Sequence, residues 1–206
     1  MKRALVLVDI QNDFLPGGAL AVPDGDQVVP VANRLMDQFD VVIATQDWHP
    51  ADHSSFASQH AGRSVGEVVD LDGLDQILWP DHCVHETPGA EFAVDLKLDE
   101  SVLVFPKGTD RTIDSYSGFF DNGHRKSTGL SAALTQADVT EVFVMGLATD
   151  YCVKFTALNA VELGFKTKLV IDGCRGVNLQ PDDVDNSIRQ MEAAGIEVVH
   201  SDSVGN

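Results

Sequence analysis

Polar side chains able to do chemistry follow several short apolar segments of this sequence. Asp9 follows ALVLV, Lys107 follows VLVFP, and Cys152 lies shortly after Gly146 at the start of a helical pattern. A cysteine at a helix N-terminus beside a cation has a lowered pKa and becomes a nucleophile when a base accepts its proton. Lys107 could supply the cation, Asp9 the base, and the turn before Cys152 the N–H groups for an oxyanion. A free cysteine is more often a small buried hydrophobe, so this interpretation requires the fold to bring the three residues together.

A second set of residues has the types and spacing of a metal site. Asp47 and His49, in QDWHP, are two positions apart, so in an extended segment both side chains point the same way. His82, in WPDHC, could join them, and a carboxylate with two histidines suits Zn²⁺, Mn²⁺ or Fe²⁺. Asp52 and His53 could supply a fourth ligand or support the ligands from outside. The D-x-H pattern is only moderately specific, and surface histidines are the alternative.

The elements that position these residues are short and apolar. Near-continuous apolar runs, typical of parallel strands buried on both faces, occur at 4–9, 40–47, 101–108, 141–146, 167–172 and 196–201. Helical patterns lie between several of them, at 128–138, 153–163, 181–195 and in a segment that ends near Phe39, where Pro30 lies in the first turn or kinks the helix. This alternation predicts an open α/β sheet with right-handed crossovers.

The site is expected where the strands end, because ligands of open α/β sheets bind outside the carboxyl ends of the strands. Asp9, Asp47, Lys107 and Cys152 all follow predicted strands, which favours one shared site. Residues 48–100 show no clear strand and are rich in Asp, His, Gly and Pro, so we expect a long functional loop region within a single domain spanning 1–206.

Composition limits the classes of partner. The chain has 206 residues and a formal net charge of −18, which argues against nucleic acid and anionic membranes as partners. No apolar run is long enough for a transmembrane helix, no cleavage site follows the apolar N-terminal segment, and three cysteines fit a reducing cytoplasm. The excess of aspartate over lysine motivates a further hypothesis, adaptation to a salty environment.

Five motifs together resemble the nicotinamidases of the isochorismatase-like cysteine hydrolase superfamily. They occur in family order and cover nearly the whole chain: LVLVDIQNDFLPGGALAV (5–22), TQDWHPADHSSF (45–56), WPDHCVHETPGAEF (79–92), FPKGTDRTIDSYSGF (105–119) and GLATDYCVKFTALNAVELGF (146–165). The resemblance implies a six-stranded parallel sheet flanked by helices on both faces. It also implies hydrolysis of the carboxamide of nicotinamide, and of pyrazinamide, to the acid and ammonia in NAD salvage.

The resemblance also assigns roles to the reactive residues. Cys152 would attack the carboxamide carbon, Asp9 would carry the proton from the thiol to departing ammonia, and Lys107 would stabilise the thiolate. Asp9 would then be the proton carrier and not a metal ligand. The N–H groups of Ala148 and Cys152 would form the oxyanion hole, with a cis peptide bond between Leu147 and Ala148.

For the metal, the resemblance implies one divalent ion, with zinc the first expectation and manganese or iron the alternatives. Asp47, His49 and His82 would hold it, and the pyridine nitrogen of the substrate would bind it; His53 is a weaker candidate. An apolar slot for the substrate ring would be lined by Phe14, Leu20, Trp79 and Tyr116. These aromatic residues could instead belong to the core. A homo-oligomer is possible.

Two departures from the family pattern lie outside the proposed triad. Asp81 stands where many members repeat proline, and Arg111 and Asp114 could change the polarity of the lid over the pocket. Two other functions remain open: hydrolysis of a different amide, a ureido acid or an isochorismate-like ether by the same superfamily, and non-catalytic binding of a small molecule or metal.

Overall fold

The protein is built on a six-stranded parallel sheet. The computed structural model describes residues 2–205, and the strands are β1 (Lys2–Val8), β2 (Val41–Asp47), β3 (Val68–Leu71), β4 (Leu74–Ile77), β5 (Leu103–Lys107), β6 (Val139–Leu147), β7 (Lys166–Arg175) and β8 (Glu197–Val199). The sheet has the order β5-β2-β1-β6-β7-β8, and every neighbouring pair is parallel. All six predicted strands are confirmed.

Four α-helices cover the sheet. They are α1 (Val28–Leu35), α2 (Leu130–Gln136), α3 (Lys154–Glu162) and α4 (Asp183–Ala193), each inside or close to its predicted segment. Pro30 lies in the first turn of α1, where it leaves the helix intact because the N–H it lacks has no partner within the helix. Residues 4–8 of the central strand β1 are all buried, so both faces of the sheet are covered, as the continuous apolar run predicts.

The prediction that residues 48–100 contain no strand is wrong. β3 and β4 form an antiparallel two-stranded hairpin, separate from the main sheet, around the turn at Asp72 and Gly73. Both turn residues have positive φ, 55° and 83°, which is the conformation that an Asp-Gly hairpin turn requires. The hairpin was missed because its strands, VVDL and LDQI, are short, interrupted by polar residues and only partly buried, unlike the apolar strands of the main sheet.

The strands that carry the predicted site are neighbours. The order β5-β2-β1-β6 places the ends that lead into Lys107, Asp47, Asp9 and Cys152 side by side at the carboxyl edge of the sheet. Within residues 2–205, none of the helices has both the length and the apolar character to cross a bilayer.

Candidate active site

The site is centred on the buried ammonium group of Lys107. Its Nζ lies 2.9 Å from Oδ2 of Asp9 and 2.5 Å from Oδ1 of Asp47, and 3.4 Å from Sγ of Cys152. It also donates to the backbone carbonyl of Ser115 at 2.8 Å. The structure therefore brings together the three residues proposed for covalent catalysis, and it connects them directly to a residue of the predicted metal site.

Asp9 is held by the strand beside it. Its backbone lies in the left-handed region at φ 48°, immediately after β1 ends. The hydroxyl of Thr45, on β2, donates to Oδ1 of Asp9 at 2.6 Å and accepts the N–H of Asp9 at 3.3 Å. One carboxylate oxygen is thus fixed by Thr45, and the other faces Lys107.

Burial controls the protonation of this group of residues. Burial raises the pKa of Asp9 to about 6 against the opposing charge of Lys107. Burial alone would lower the pKa of Lys107, but the charges of Asp47 and Asp9 hold it well above its ordinary value. The site therefore combines a charged lysine with a carboxylate that exchanges its proton near neutral pH.

The lowered pKa expected for Cys152 is wrong. Burial raises the pKa of this thiol well above its ordinary value, and the charge of Lys107 does not compensate. Cys152 lies in a π-helical turn, Thr149–Val153, ahead of α3, with Asp9 and Asp47 adding negative charge nearby. The thiol therefore keeps its proton at rest and needs a base.

Asp47, His49 and His82 form a cluster suited to a metal ion. Oδ2 of Asp47 lies 3.6 Å from Nε2 of His49 and 3.9 Å from Nε2 of His82. The Nδ1 atoms of the histidines lie 2.9 Å and 2.8 Å from the carbonyls of Gly108 and Pro80, which assigns the proton to Nδ1 in both. Both bare Nε2 atoms face the carboxylate, and Nε2 of His49 is buried without a hydrogen-bond partner. This donor set fits a divalent metal ion.

Contacts with Gln11 and Gly108 hold two of the metal-site residues, Asp47 and His49, in place. The amide of Gln11 donates to the carbonyl of Asp47 and accepts its N–H, both at 2.8 Å. Gly108 has a φ of 62°, and a Cβ built on it would lie 2.3 Å from the ring of His49. Only glycine therefore allows both this backbone conformation and the approach of the His49 ring.

The long loop places His82 by pairing with the His49 segment. The N–H of His49 donates to the carbonyl of Cys83 at 3.0 Å, and His85 returns a bond to the carbonyl of His49 at 2.8 Å. The carboxylate of Asp13 accepts the N–H of Cys83 at 2.7 Å. These bonds attach the loop to the sheet edge directly beside His82.

His53 lies next to the cluster, with a donor atom within 4.8 Å of donor atoms of His49 and Asp114. Its ring centroid is 4.4 Å from that of His49. Its Nδ1 accepts the N–H of Ser55 at 3.2 Å, and its Nε2 is 3.4 Å from the carbonyl of Ile113. Burial and the neighbouring His49 lower the pKa of His53. This arrangement favours a supporting role over direct ligation.

A cavity opens beside Cys152 and the metal-site residues. It is lined by all four residues expected to form the slot and by further residues of the site: Phe14, Leu20, Trp79, Tyr116, Asp47, His82, Ala148 and Cys152, together with Asp114, Tyr151 and Val177. Phe14 and Trp79 are also almost fully buried, so they belong to the core as well as to the cavity wall. The peptide bond between Leu147 and Ala148 is cis, as expected from the resemblance.

Sequence reasoning missed several residues that shape this cavity. Tyr151 packs edge-on against Trp79, with ring centroids 4.9 Å apart. Asp150 accepts the N–H groups of Val177 and Asn178 at 2.9 and 2.7 Å and so holds the loop at the cavity rim. Asp150 and Tyr151 immediately precede Cys152 in the sequence, which is the signal that could have indicated them.

The three residues noted in the two departures behave differently. Asp81 is exposed. Arg111 is exposed and lies 3.4 Å from Asp52, also exposed. Asp114 is only 4% exposed and lies in the cavity wall. Of these residues, only Asp114 adds a polar side chain to the pocket wall.

Several known proteins are similar to this chain along nearly its whole length. Residues 3–203 match the isochorismatase domain family. A nicotinamidase of Escherichia coli is 54% identical over 197 residues, with 94% of this chain and 92% of that protein covered. The structure of a nicotinamidase–pyrazinamidase of Acinetobacter baumanii has a TM-score of 0.95 and 42% identity, covering 98% of each chain. A pyrazinamidase of Pyrococcus horikoshii, solved in complex with zinc, has a TM-score of 0.81 and 36% identity, covering 97% of this chain and 99% of that one.

Proposed function

Because the chain belongs to the isochorismatase family, we propose that it is a nicotinamidase that hydrolyses nicotinamide and pyrazinamide to their acids and ammonia. One observation carries this proposal. The Nζ of Lys107 contacts the nucleophile Cys152, the base Asp9 and the metal-site residue Asp47 at once. A covalent hydrolase whose nucleophile is joined in this way to a metal site suits an amide attached to a ring with a nitrogen that can bind a metal.

The chemistry proceeds by proton transfer between Cys152 and Asp9. Asp9 accepts the thiol proton as the sulfur attacks the carboxamide carbon, and the N–H groups of Ala148 and Cys152 stabilise the oxygen that becomes negative. Asp9 then protonates the amide nitrogen as the C–N bond breaks, so ammonia leaves and a thioester remains on Cys152. Water attacks the thioester and Asp9 accepts a proton from that water. Asp9 returns this proton to the sulfur as the C–S bond breaks, which releases the acid and restores the thiol. Lys107 remains charged throughout and holds Asp9 in place.

The metal site would take part in substrate binding. Asp47, His49 and His82 would hold one divalent ion, for which zinc is the first candidate and manganese or iron the alternatives. When bound, the ion supplies a Lewis acid for the ring nitrogen. The rings of Phe14 and Trp79, with Leu20 and Tyr116, would hold the flat ring of the substrate. His53 would support His49. The cytoplasmic location, the single domain and a homo-oligomer stay predictions.

An ammonia-release assay tests the proposed function. Purified protein of measured metal content is given nicotinamide, pyrazinamide and benzamide. We expect release from the first two, and much less from benzamide, because it has the carboxamide without the ring nitrogen. Equal rates for nicotinamide and benzamide would contradict the proposed role of the metal site, and no release from any amide would refute the proposed function.

A different amidase of the same superfamily is the second candidate. Ureido acids and simple aliphatic amides belong in the same panel, since an enzyme for these substrates has no need of a metal beside Asp47. A preference for a ureido acid over nicotinamide would favour this candidate.

A further inference from the structure

One buried side chain anchors the β3–β4 hairpin to the active site. Gln76 is 4% exposed, and it is the one buried residue of the two strands. Its Nε2 lies 2.8 Å from the carbonyl of Ile77, 3.1 Å from Oδ2 of Asp114 and 3.2 Å from the hydroxyl oxygen of Tyr116. Burial of an unpaired polar group is costly, so a buried amide is expected to make hydrogen bonds. The amide of Gln76 makes these contacts with groups of the active-site wall.

The contact with Asp114 leads to the catalytic lysine. Oδ1 of Asp114 accepts the N–H of Ser115 at 2.7 Å, and the carbonyl of Ser115 accepts Nζ of Lys107 at 2.8 Å. Among residues 2–205 no lysine or arginine pairs with Asp114, so N–H donors fix its carboxylate. Gln76 supplies the donor on the side opposite Ser115, and it thereby sets the orientation of the Ser115 peptide that holds Lys107.

The contact with Tyr116 leads to the ring pocket. The hydroxyl oxygen of Tyr116 accepts the amide of Gln76 and also the indole N–H of Trp79, which is 3.1 Å away. Tyr116 and Trp79 both line the cavity beside Cys152. Gln76 therefore shares the Tyr116 hydroxyl oxygen with Trp79 and is one of the two donors that hold this ring of the cavity wall.

We propose that Gln76 is a positioning residue that connects the hairpin to Lys107 through Asp114 and to the ring pocket through Tyr116. It touches neither the reacting atoms nor the substrate. The inference rests on the proposed function, because its effect is read in the turnover of nicotinamide. The two contacts make separable contributions: the Asp114 contact affects kcat, and the Tyr116 contact affects KM.

Single substitutions test the two contributions. We expect Gln76→Leu, which keeps the size and removes the donor, to lower kcat/KM for nicotinamide at least tenfold, with kcat lowered and KM raised. Asp114→Asn should mainly lower kcat. Tyr116→Phe should raise KM severalfold with kcat within twofold. Asp75→Asn, an exposed neighbour in the same hairpin, is the matched control and should stay within twofold of the wild type.

An exchange of donor and acceptor in the hydrogen bond between Gln76 and Asp114 tests whether Gln76 acts by positioning Asp114 or whether its substitution destabilises the whole protein. Gln76→Glu alone sets a second carboxylate against Asp114 and should be at least as damaging as Gln76→Leu. Adding Asp114→Asn returns a donor and an acceptor to the contact with their roles exchanged, and kcat should recover at least fivefold. Turnover of Gln76→Leu within twofold of an active wild type, or a double variant no better than Gln76→Glu, would overturn the inference alone. An inactive wild type would refute the proposed function and the inference with it.

Discussion

Lys107 contacts two carboxylates, and their environments differ enough to give them different tasks. Burial opposes ionisation of Asp47, but the charge of the adjacent Lys107 holds the pKa of this carboxylate well below its usual range, so it stays ionised. Burial is the larger effect at Asp9, and it raises the pKa to about 6. Titratable groups whose environments separate their pKa values are the usual pattern of acid and base assignment in active sites. Asp47 therefore suits a metal, and Asp9 suits proton transfer.

The pKa of Asp9 predicts the pH dependence of turnover. Asp9 must be ionised to accept the thiol proton, and it ionises as the pH rises through about 6. We therefore expect kcat/KM to rise about tenfold per pH unit below this value and to level off above it. Initial rates in constant-ionic-strength buffers measure this profile, and metal content determined at each pH serves as the control. A profile that falls between pH 5 and pH 7 would contradict the role of Asp9.

Removal of the thiol should abolish turnover without unfolding the protein. We expect Cys152→Ala to lower kcat for nicotinamide by at least about 10³-fold, because the other residues of the covalent route cannot act without the nucleophile. Cys174→Ala is the matched control, since Cys174 is also a buried free cysteine but lies on β7 away from the cavity lining. Rapid turnover by Cys152→Ala would exclude covalent catalysis by this residue.

At the scale of the elements, parallel pairing delivers the reactive residues to one edge. β5, β2, β1 and β6 are adjacent in the sheet, so the residues at their carboxyl ends lie close together. Asp9 and Cys152 meet in this way although they are 143 positions apart in the sequence, the difference of their residue numbers. This much could be predicted, because apolar runs indicate buried strands and reactive residues after such strands indicate a shared edge.

The remaining features of the fold and the site depend on tertiary contacts and burial, which no local sequence pattern indicates. The hydroxyl of Thr45 fixes Asp9, and the amide of Gln11 fixes Asp47, but both residues look like ordinary members of a strand and a turn. The raised pKa of Cys152 depends on how deeply the turn is buried, whereas the sequence indicates only its position before a helix. The β3–β4 hairpin is only partly buried and its short strands contain polar residues, so it lacks the apolar run that marked the main strands.

A substitution at Gly108 tests whether the backbone just after β5 positions the ring of His49. A Cβ at this position would lie 2.3 Å from the His49 ring, and φ is 62°. We expect Gly108→Ala to displace His49, to lower metal content and to lower the free energy of unfolding by more than about 2 kcal/mol. Gly164→Ala separates the two causes, because φ is 88° there but no atom lies within 4 Å of the added Cβ. That variant should lose about 1 kcal/mol and keep its metal. Equal metal content in the two variants would contradict the role assigned to Gly108.

A metal ion would also crosslink the long loop to the sheet. Asp47 ends β2, and His82 lies in the loop beyond the hairpin, so one bound ion joins segments far apart in sequence. Chelation should lower the unfolding temperature, and zinc should restore it; a free ion at 1,000 times its dissociation constant contributes about 4 kcal/mol. Calorimetry of His82→Ala should show no response to zinc. His200→Ala, at a histidine side chain that is 74% exposed, should respond like the wild type. A response by His82→Ala equal to that of the wild type would place the metal elsewhere.

At the scale of the whole molecule, the charge distribution predicts a dependence of stability on salt. The chain carries 32 acidic residues against 14 lysines and arginines, so repulsion among carboxylates opposes the compact state. Salt screens this repulsion, with a Debye length that falls from about 30 Å at 0.01 M to about 3 Å at 1 M. The temperature of unfolding should therefore rise as potassium chloride increases over this range, at constant pH and with the metal site saturated. Most of the rise should occur at the lower concentrations, because the Debye length shortens most steeply there. Highest stability at the lowest salt concentration would refute adaptation to a salty environment.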